Sequence, residues 1–456
     1  MAQLTADEVR ARVDADWDRL KDLIARKIAL RSISADGITG EHMRQSAEFV
    51  AEELRKVGVD ATVAQSHNPD GTPGAWEVIG SKVVDPAAPT VLLYAHHDVQ
   101  PVPDAADWDT DPWIATEVGD RLYGRGSADD GGGLVMHSGA LKALGDDLKV
   151  NVKVFVEGEE EMGSASFIPF IEDHRADFDA DVIVVADSGN WDAEIPSLTT
   201  SLRGNTTVDV HVKVLHHPVH SGQYGGPILD ANTVAAMLIA SMYDEAGDLA
   251  VPGVMAEEPI GGLQQDVDEA GMRRDAGIVD SYRLAGTGSI AARMWTKPSI
   301  TVIGFDAHPV EGSFNVISPE TTFRLSLRTA PNQRPEEAQE ALARFLVEHA
   351  PFGAEVSVEN GENGMGWGMD PDAEATKDAL EAMEEAFGVA PINQGQGGSI
   401  PFIPELQRIF PDAQVLVTGP EDPKANAHSP NESVSLPGLK SNVIAEALML
   451  DKLARR

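Results

Sequence analysis

Three short apolar runs, "TVLLYA" (90–95), "VNVKVFVE" (150–157) and "ADVIVVAD" (180–187), are set apart by stretches of helical periodicity. Continuous apolar character over so few residues fits strands covered on both faces, which predicts a parallel sheet between helices. Each run stops at a polar cluster: His96, His97 and Asp98 after the first, Glu157 to Glu161 after the second, Asp187 after the third. Ligands of such sheets sit beyond the carboxyl ends of the strands. Three strand ends therefore bring carboxylates and imidazole to one edge, where like charges repel unless something positive lies among them.

The rest of the chain divides by its hydropathy pattern. Thr5 with Glu8 three residues later makes a capping box, and Val9, Val13, Trp17, Leu20 and Ile24 follow at helical spacing. A second helical stretch, "EHMRQSAEFVAEELRKVG", ends at Gly58. From about residue 204 the pattern changes. In "TTVDVHVKV", Val208, Val210, Val212 and Val214 alternate with Asp209, His211 and Lys213, the period of a strand with one wet face. A helix from Asn232 to about Tyr243, strands at "SITVIGF" and "TTFRLSLRTA", a helix opened by Pro335 and a strand at "AEVSVE" complete the β-α-β-β-α-β order of a ferredoxin-like unit. After "ENGENGMGWGM", the tail regains the α/β character of the first 200 residues with "ATKDALEAMEEAFG", "QVLVTG" and a last helix after Pro437. The expectation is an α/β fold in which residues 1–203 and 366–456 form a domain with a mainly parallel sheet flanked by helices. A ferredoxin-like α+β domain, 204–365, is inserted into it.

Composition narrows the function. With 74 acidic residues against 35 basic ones and a net charge of −39, the chain lacks the clustered cations that nucleic acid or an anionic membrane demands. Most of the acids read as solvated surface. There are no cysteines, which excludes disulfides, thiolate nucleophiles and Cys-ligated zinc, so any metal falls to His, Asp and Glu. The stretch "MAQLTADEVRARVDADW" has no apolar signal-peptide core and no apolar run reaches membrane-spanning length, so a cytoplasmic protein is expected.

Taken singly, the motifs stay ambiguous. His96-x-Asp98 is equally an ordinary strand-end turn. "YGRGSADDGGG" (123–133) has neither Walker nor dinucleotide-loop spacing, which leaves an Asp pair in a flexible loop. A run of glutamates is usually a solvated turn. Together, His96, Asp98, Asp129, Glu160, Glu161, Asp187 and the His428 of "ANAHSPNES" supply two imidazoles and several carboxylates, a donor set suited to a pair of divalent cations.

The strings "YAHHDVQP", "GRGSADDGG", "EGEEEMGS", "ADSGNW", "HSGQYGG", "SLRTAPNQ", "GGSIP" and "AHSPNE", in this order over residues 96–432, resemble the successive motifs of the M20 metallopeptidases, most closely their carnosinase-like dipeptidase branch. The resemblance implies His96, Asp129 and Asp187 as ligands of one metal and Asp129, Glu161 and His428 as ligands of another, with Asp129 bridging. It implies that Asp98 orients the His96 ring and that Glu160 is the general base for hydrolysis of a dipeptide. Two divalent ions per subunit follow, zinc first, with manganese or cobalt also suited to such donors. The inserted domain becomes a lid through which the chain forms a homodimer. There His220 of "HSGQYGG" is expected to reach the developing oxyanion across the interface. Arg328 is expected to clamp the substrate's C-terminal carboxylate, Gly398 and Ser399 of "QGGSIP" to offer it backbone amides, and Asn315 of "FNVISP" to add a lid contact. Without the resemblance, His220 reads as a turn residue, Arg328 as solvent-facing and "QGGSIP" as a Gly-rich turn.

Two positions depart from the family pattern: Gly131 stands where relatives usually carry Lys after the Asp pair, and His97 where many carry an apolar residue. Neither removes a ligand or the base. The alternatives are an N-acyl amino acid amidohydrolase on the same metal centre and a noncatalytic metal or peptide binder on the same fold.

Overall fold

A computed structural model of the chain describes residues 4–398 and 402–455. The chain falls into two compact units, Met1–Thr199 with Met369–Gln394 and Glu405–Arg456, and Thr200–Gly368 with Gly395–Pro404.

The first unit is built on a mixed sheet. At its centre four parallel strands stand in the order Asn151–Glu157, Thr90–His96, Val182–Val185, Gln414–Val417. The three predicted apolar runs supply the first three and the "QVLVTG" of the tail the fourth, and the register aligns His96 with Glu157 at the carboxyl edge. Two edge strands, Asp60–His67 and Pro73–Lys82, pair antiparallel beyond Asn151–Glu157. Helices cover both faces. The Ala6–Ala29 helix begins with the expected capping box at Thr5 and Glu8. The Gly131–Leu144 helix is buried almost along its whole length, with Gly139 so close to the Leu436–Leu453 helix that an added Cβ would lie 2.6 Å from Val443. Under the glutamate run, Phe155 is ringed by Tyr94, Phe167, Phe170 and Phe178 at centroid distances of 4.8–5.8 Å, a rigid apolar floor for the polar loop above it.

The second unit is the α+β element the period-two pattern predicts. Its four strands stand in the order Ser299–Phe305, Glu320–Thr329, Gly204–Lys213, Glu355–Gly364, every neighbouring pair antiparallel, which is the ferredoxin-like arrangement. Val208, Val210 and Val212 with Phe323, Leu325 and Leu327 turn inward against the Ala231–Ala240 and Pro335–Glu348 helices. The first of these helices ends three residues short of Tyr243, which instead bridges Leu249. No helix among the described residues is long and apolar enough to cross a membrane.

Candidate metal centre

The carboxyl edge of the central sheet assembles two adjoining triads. Donor atoms of His96, Glu160 and Asp187 lie within 4.8 Å of one another, as do those of Asp129, Glu161 and His428. Asp129 joins them: its Oδ1 lies 2.8 Å from His96 Nε2 and its Oδ2 lies 2.9 Å from His428 Nε2. His428 Nε2 is also 3.1 Å from Glu161 Oε2, and His96 Nε2 is 3.7 Å from Asp187 Oδ1. Glu160 thus stands beside the His96 group, where the resemblance places Asp129.

Each side chain is aimed by its local backbone. His96 closes the Thr90–His96 strand, and its Nδ1 approaches the Asp98 carbonyl at 3.1 Å, which leaves Nε2 for the centre. Asp98 turns Oδ2 to the backbone N–H of Glu161 at 3.1 Å, coupling the loops after two neighbouring strands. The Asp pair splits its work. Asp130 accepts from Gly133 N at 2.9 Å as the cap of the Gly131–Leu144 helix and from His96 N at 3.1 Å, while Asp129 faces the two imidazoles.

His97 points the other way. Its ring is fully buried, with Nε2 2.6 Å from the Trp76 carbonyl, and burial followed by the Lys27 charge brings its pKa down to about 4. The four glutamates also divide. Glu157 accepts from the Tyr94 hydroxyl at 2.7 Å and Glu159 from the Ser166 hydroxyl at 2.6 Å, both inside the wall, so only Glu160 and Glu161 serve the edge. Gly131 has a steric reason: a Cβ there would sit 2.4 Å from the Gly126 carbonyl oxygen.

Two contributors escape sequence reasoning. Glu432, four residues after His428, is fully buried and grips the 125–129 loop: it accepts from Arg125 at 2.7 Å, Gly126 N at 2.9 Å, Ala128 N at 3.0 Å and Asp129 N at 3.2 Å. This holds Asp129 beside His428, whose own backbone is left-handed at φ 61°. Glu421 is the other; burial, then Asp129 and Asp187, push its carboxyl well above the usual range.

The electrostatics describe a centre short of positive charge. Burial, then the Asp187 charge, lifts Glu160 to about 9. Hydrogen bonds to Asp129 and Glu161 lift His428 to about 11. Glu161 Oε1 is buried without a hydrogen-bond partner. Crowded oxygens, two imidazoles and an orphaned buried carboxylate oxygen fit divalent cations.

In the second unit, strand pairing sets His220 opposite Val316, the residue after Asn315, and the Asn315 carbonyl accepts from Ser221 N at 3.4 Å. His220 Nδ1 accepts from Gly222 N at 3.0 Å, which puts the proton of the neutral ring on the exposed Nε2 edge. Arg328 lies on the face of its strand away from the core. Gly398 is open, with nothing within 4 Å of an added Cβ; Ser399 lies outside the described residues.

Fold and donor set together define an α/β protein with a candidate divalent-metal centre at the carboxyl edge of its sheet. The model of Peptidase family M20/M25/M40 matches residues 92–452, and the chain belongs to this family. A cysteinylglycine-S-conjugate dipeptidase of Corynebacterium striatum is 35% identical over 414 residues, covering 89% of each chain. Human Beta-Ala-His dipeptidase is 27% identical, covering 93% of this chain and 88% of its own. Among solved structures, human carnosine dipeptidase 1 superposes with a TM-score of 0.72 at 25% identity over 99% of both chains. Dug1p of Saccharomyces cerevisiae gives 0.74 at 22% identity, also over 99% of both, a likeness of fold.

Proposed function

We propose that this chain is a metal-dependent dipeptidase with a dinuclear centre, and the observation that carries the reading is the Asp129 carboxylate set between His96 and His428, with Glu160 and Asp187 beside the first imidazole and Glu161 beside the second. The names of its relatives support the substrate class, since the Corynebacterium striatum and human proteins are both called dipeptidases. His96, Asp129 and Asp187 would hold one cation and Asp129, Glu161 and His428 the other. Bound cations would supply Lewis acidity toward the scissile carbonyl and compensate the crowded carboxylates.

The chain's own groups do the rest. A cation held beside Glu160 would offset the burial and the Asp187 charge that favour its neutral form, and the Glu160 carboxylate takes a proton from water and passes it to the leaving amine. Asp98 orients His96 and fixes the loop of Glu161. Through its Nε2–H, His220 is assigned to the oxyanion, supplied by a partner copy in a homodimer formed through the lid. Arg328 binds the substrate's free C-terminal carboxylate in a planar fork, with the Gly398 amide as a further donor, and Asn315 supports the His220 segment.

The test compares free dipeptides with N-acetyl amino acids of the same C-terminal residue, on protein stripped by chelator and reloaded separately with zinc and with manganese. Cleavage of dipeptides only after metal return is the expected result. A preference for the acetylated set moves the assignment to the amidohydrolases, and metal binding without any hydrolysis revives the noncatalytic reading.

A further inference from the structure

Two arginines on one strand of the second unit receive opposite treatment. Arg324 and Arg328 share the face of the Glu320–Thr329 strand that turns away from the core. In register with Arg324 stands Asp209, and the pair makes two contacts, Nε to Oδ1 at 2.5 Å and Nη2 to Oδ2 at 2.6 Å. In register with Arg328 stand Asn205 on one side and Ser299 on the other, both uncharged. Among the described residues, Arg328 forms no ion pair.

A further guanidinium joins it. Arg203 donates from Nη1 to Ser299 Oγ at 3.0 Å and to the Lys297 carbonyl at 3.4 Å, and from Nε to the Gly397 carbonyl at 3.1 Å. All three acceptors are neutral. Burial, then the like charge of Arg328, lowers the Arg203 pKa to about 10. A Cβ on residue 397 would lie 2.9 Å from Nη2 of Arg203, so glycine there leaves that edge of the fork room. In a chain with 74 acids to 35 bases, two neighbouring guanidiniums without a counter-charge stand out: packing alone gives no reason to bear their repulsion.

We propose that Arg203 and Arg328 form one carboxylate-binding pair, in which Arg203 is a second determinant of selectivity for substrates with a free C-terminal carboxylate. This rests on the dipeptidase reading. Two forks can engage both carboxylate oxygens, whereas an amidated or extended C-terminus leaves their charges unmet. Ser299 and the Gly397 carbonyl hold Arg203 by neutral bonds, which fix its direction without spending its charge.

The experiment uses the metal-loaded full chain and the substrates Ala-Gly and Ala-glycinamide, in wild type, Arg203→Gln, Arg203→Lys and Ser299→Asp. Ser299→Asp places a carboxylate where Nη1 of Arg203 now meets a hydroxyl and in register with Arg328, so it neutralises the pair without removing the packing of either arginine and serves if Arg203→Gln does not fold. The expected result in both neutralising variants is a KM for Ala-Gly raised roughly ten- to hundred-fold, as for loss of a charge-assisted hydrogen bond. The kcat should stay within about threefold, as for loss of binding shared by ground and transition states. Ala-glycinamide should be unaffected and Arg203→Lys intermediate. An unchanged KM, or equal losses on acid and amide, overturns the pair. Calorimetry with the reduced-bond analogue Glyψ[CH2NH]Gly and its amide separates the two ideas. A wild type that cleaves neither substrate yet prefers the acid analogue, with the preference lost in Arg203→Gln, sustains the pair and sinks the dipeptidase reading. A wild type that binds both analogues alike sinks the pair whatever it cleaves.

Discussion

Asp98 Oδ2 accepts the backbone N–H of Glu161 at 3.1 Å, so the loop after one strand sets the aim of a carboxylate after its neighbour. Because its Oδ1 also lies 3.3 Å from His96 Nδ1, the Asp98 carboxylate bears on both triads. Asp98→Ala is expected to weaken metal retention by roughly ten- to hundred-fold, as loss of such supporting contacts does elsewhere. Competition against a metal indicator gives the number, and unaltered affinity at both sites would remove Asp98 from the centre.

Glu160 allows a cleaner separation of roles. Glu160→Gln should lower kcat by roughly a hundred- to ten-thousandfold, the usual range for loss of a general base. Elemental analysis should find the metal content unchanged. A variant that loses a metal instead would make Glu160 a ligand, as its place beside His96 and Asp187 also allows.

Chelation should cost stability as well as activity. The carboxylates of Asp129, Glu160, Glu161 and Asp187 converge on one edge, and anything that binds them only in the folded state raises the melting temperature by mass action. A chelator should lower that temperature, and added zinc or manganese should restore it. Identical melting curves with and without chelator would contradict a resident metal.

Gly131 is the steric case. Gly131→Ala pushes a methyl against the Gly126 carbonyl, and a loss of about 1–3 kcal/mol is expected from overpacking of this kind. Urea unfolding of the metal-loaded variant measures it. A neutral substitution would show that the 124–131 turn yields easily.

His137 and Glu446 give a pH signature away from the metal edge. His137 Nδ1 and Glu446 Oε1 are 2.8 Å apart, both fully buried, and His137 Nε2 meets the Tyr94 carbonyl at 2.9 Å. Burial opposes the charged ring, but the Glu446 carboxylate outweighs it and raises the His137 pKa. A raised folded pKa gives stability that is full below about pH 6.5 and fades as pH climbs through the folded value. Glu446→Gln should therefore fall furthest behind wild type below that pH, by roughly 3–5 kcal/mol for a broken buried pair, with the gap narrowing in alkali. Denaturant unfolding at a series of pH values tests the slope, and a gap that widens with pH reverses the sign.

What was legible in the sequence was what is local in it. An apolar run followed at once by acids or imidazole announces both the Thr90–His96 strand and the residues at its end. The Arg324 and Arg328 face follows from alternation along a single strand. The grip of Glu432 on the 125–129 loop joins residues about three hundred positions apart, and no spacing rule connects them. The division of the glutamates into wall and centre depends on Tyr94 and Ser166, which nothing near the run identifies. The Asp60–His67 and Pro73–Lys82 strands were hidden because neither carries a long apolar run, and Gly74, Gly80 and Ser81 further dilute the pattern of the second.

The Gln414–Val417 strand lies between Val182–Val185 and Ser197–Leu202 in space, although it follows both and the whole second unit in sequence. A growing chain therefore cannot close its main sheet when the first two of these strands have been made. The slot stays open until the chain has been made past residue 417, and His428 arrives eleven residues after the strand that fills it. Translation thus sets the order of events: the metal edge waits for His428, and a product terminated before that residue carries five of the six donors, with the His96 group whole and the other lacking its imidazole.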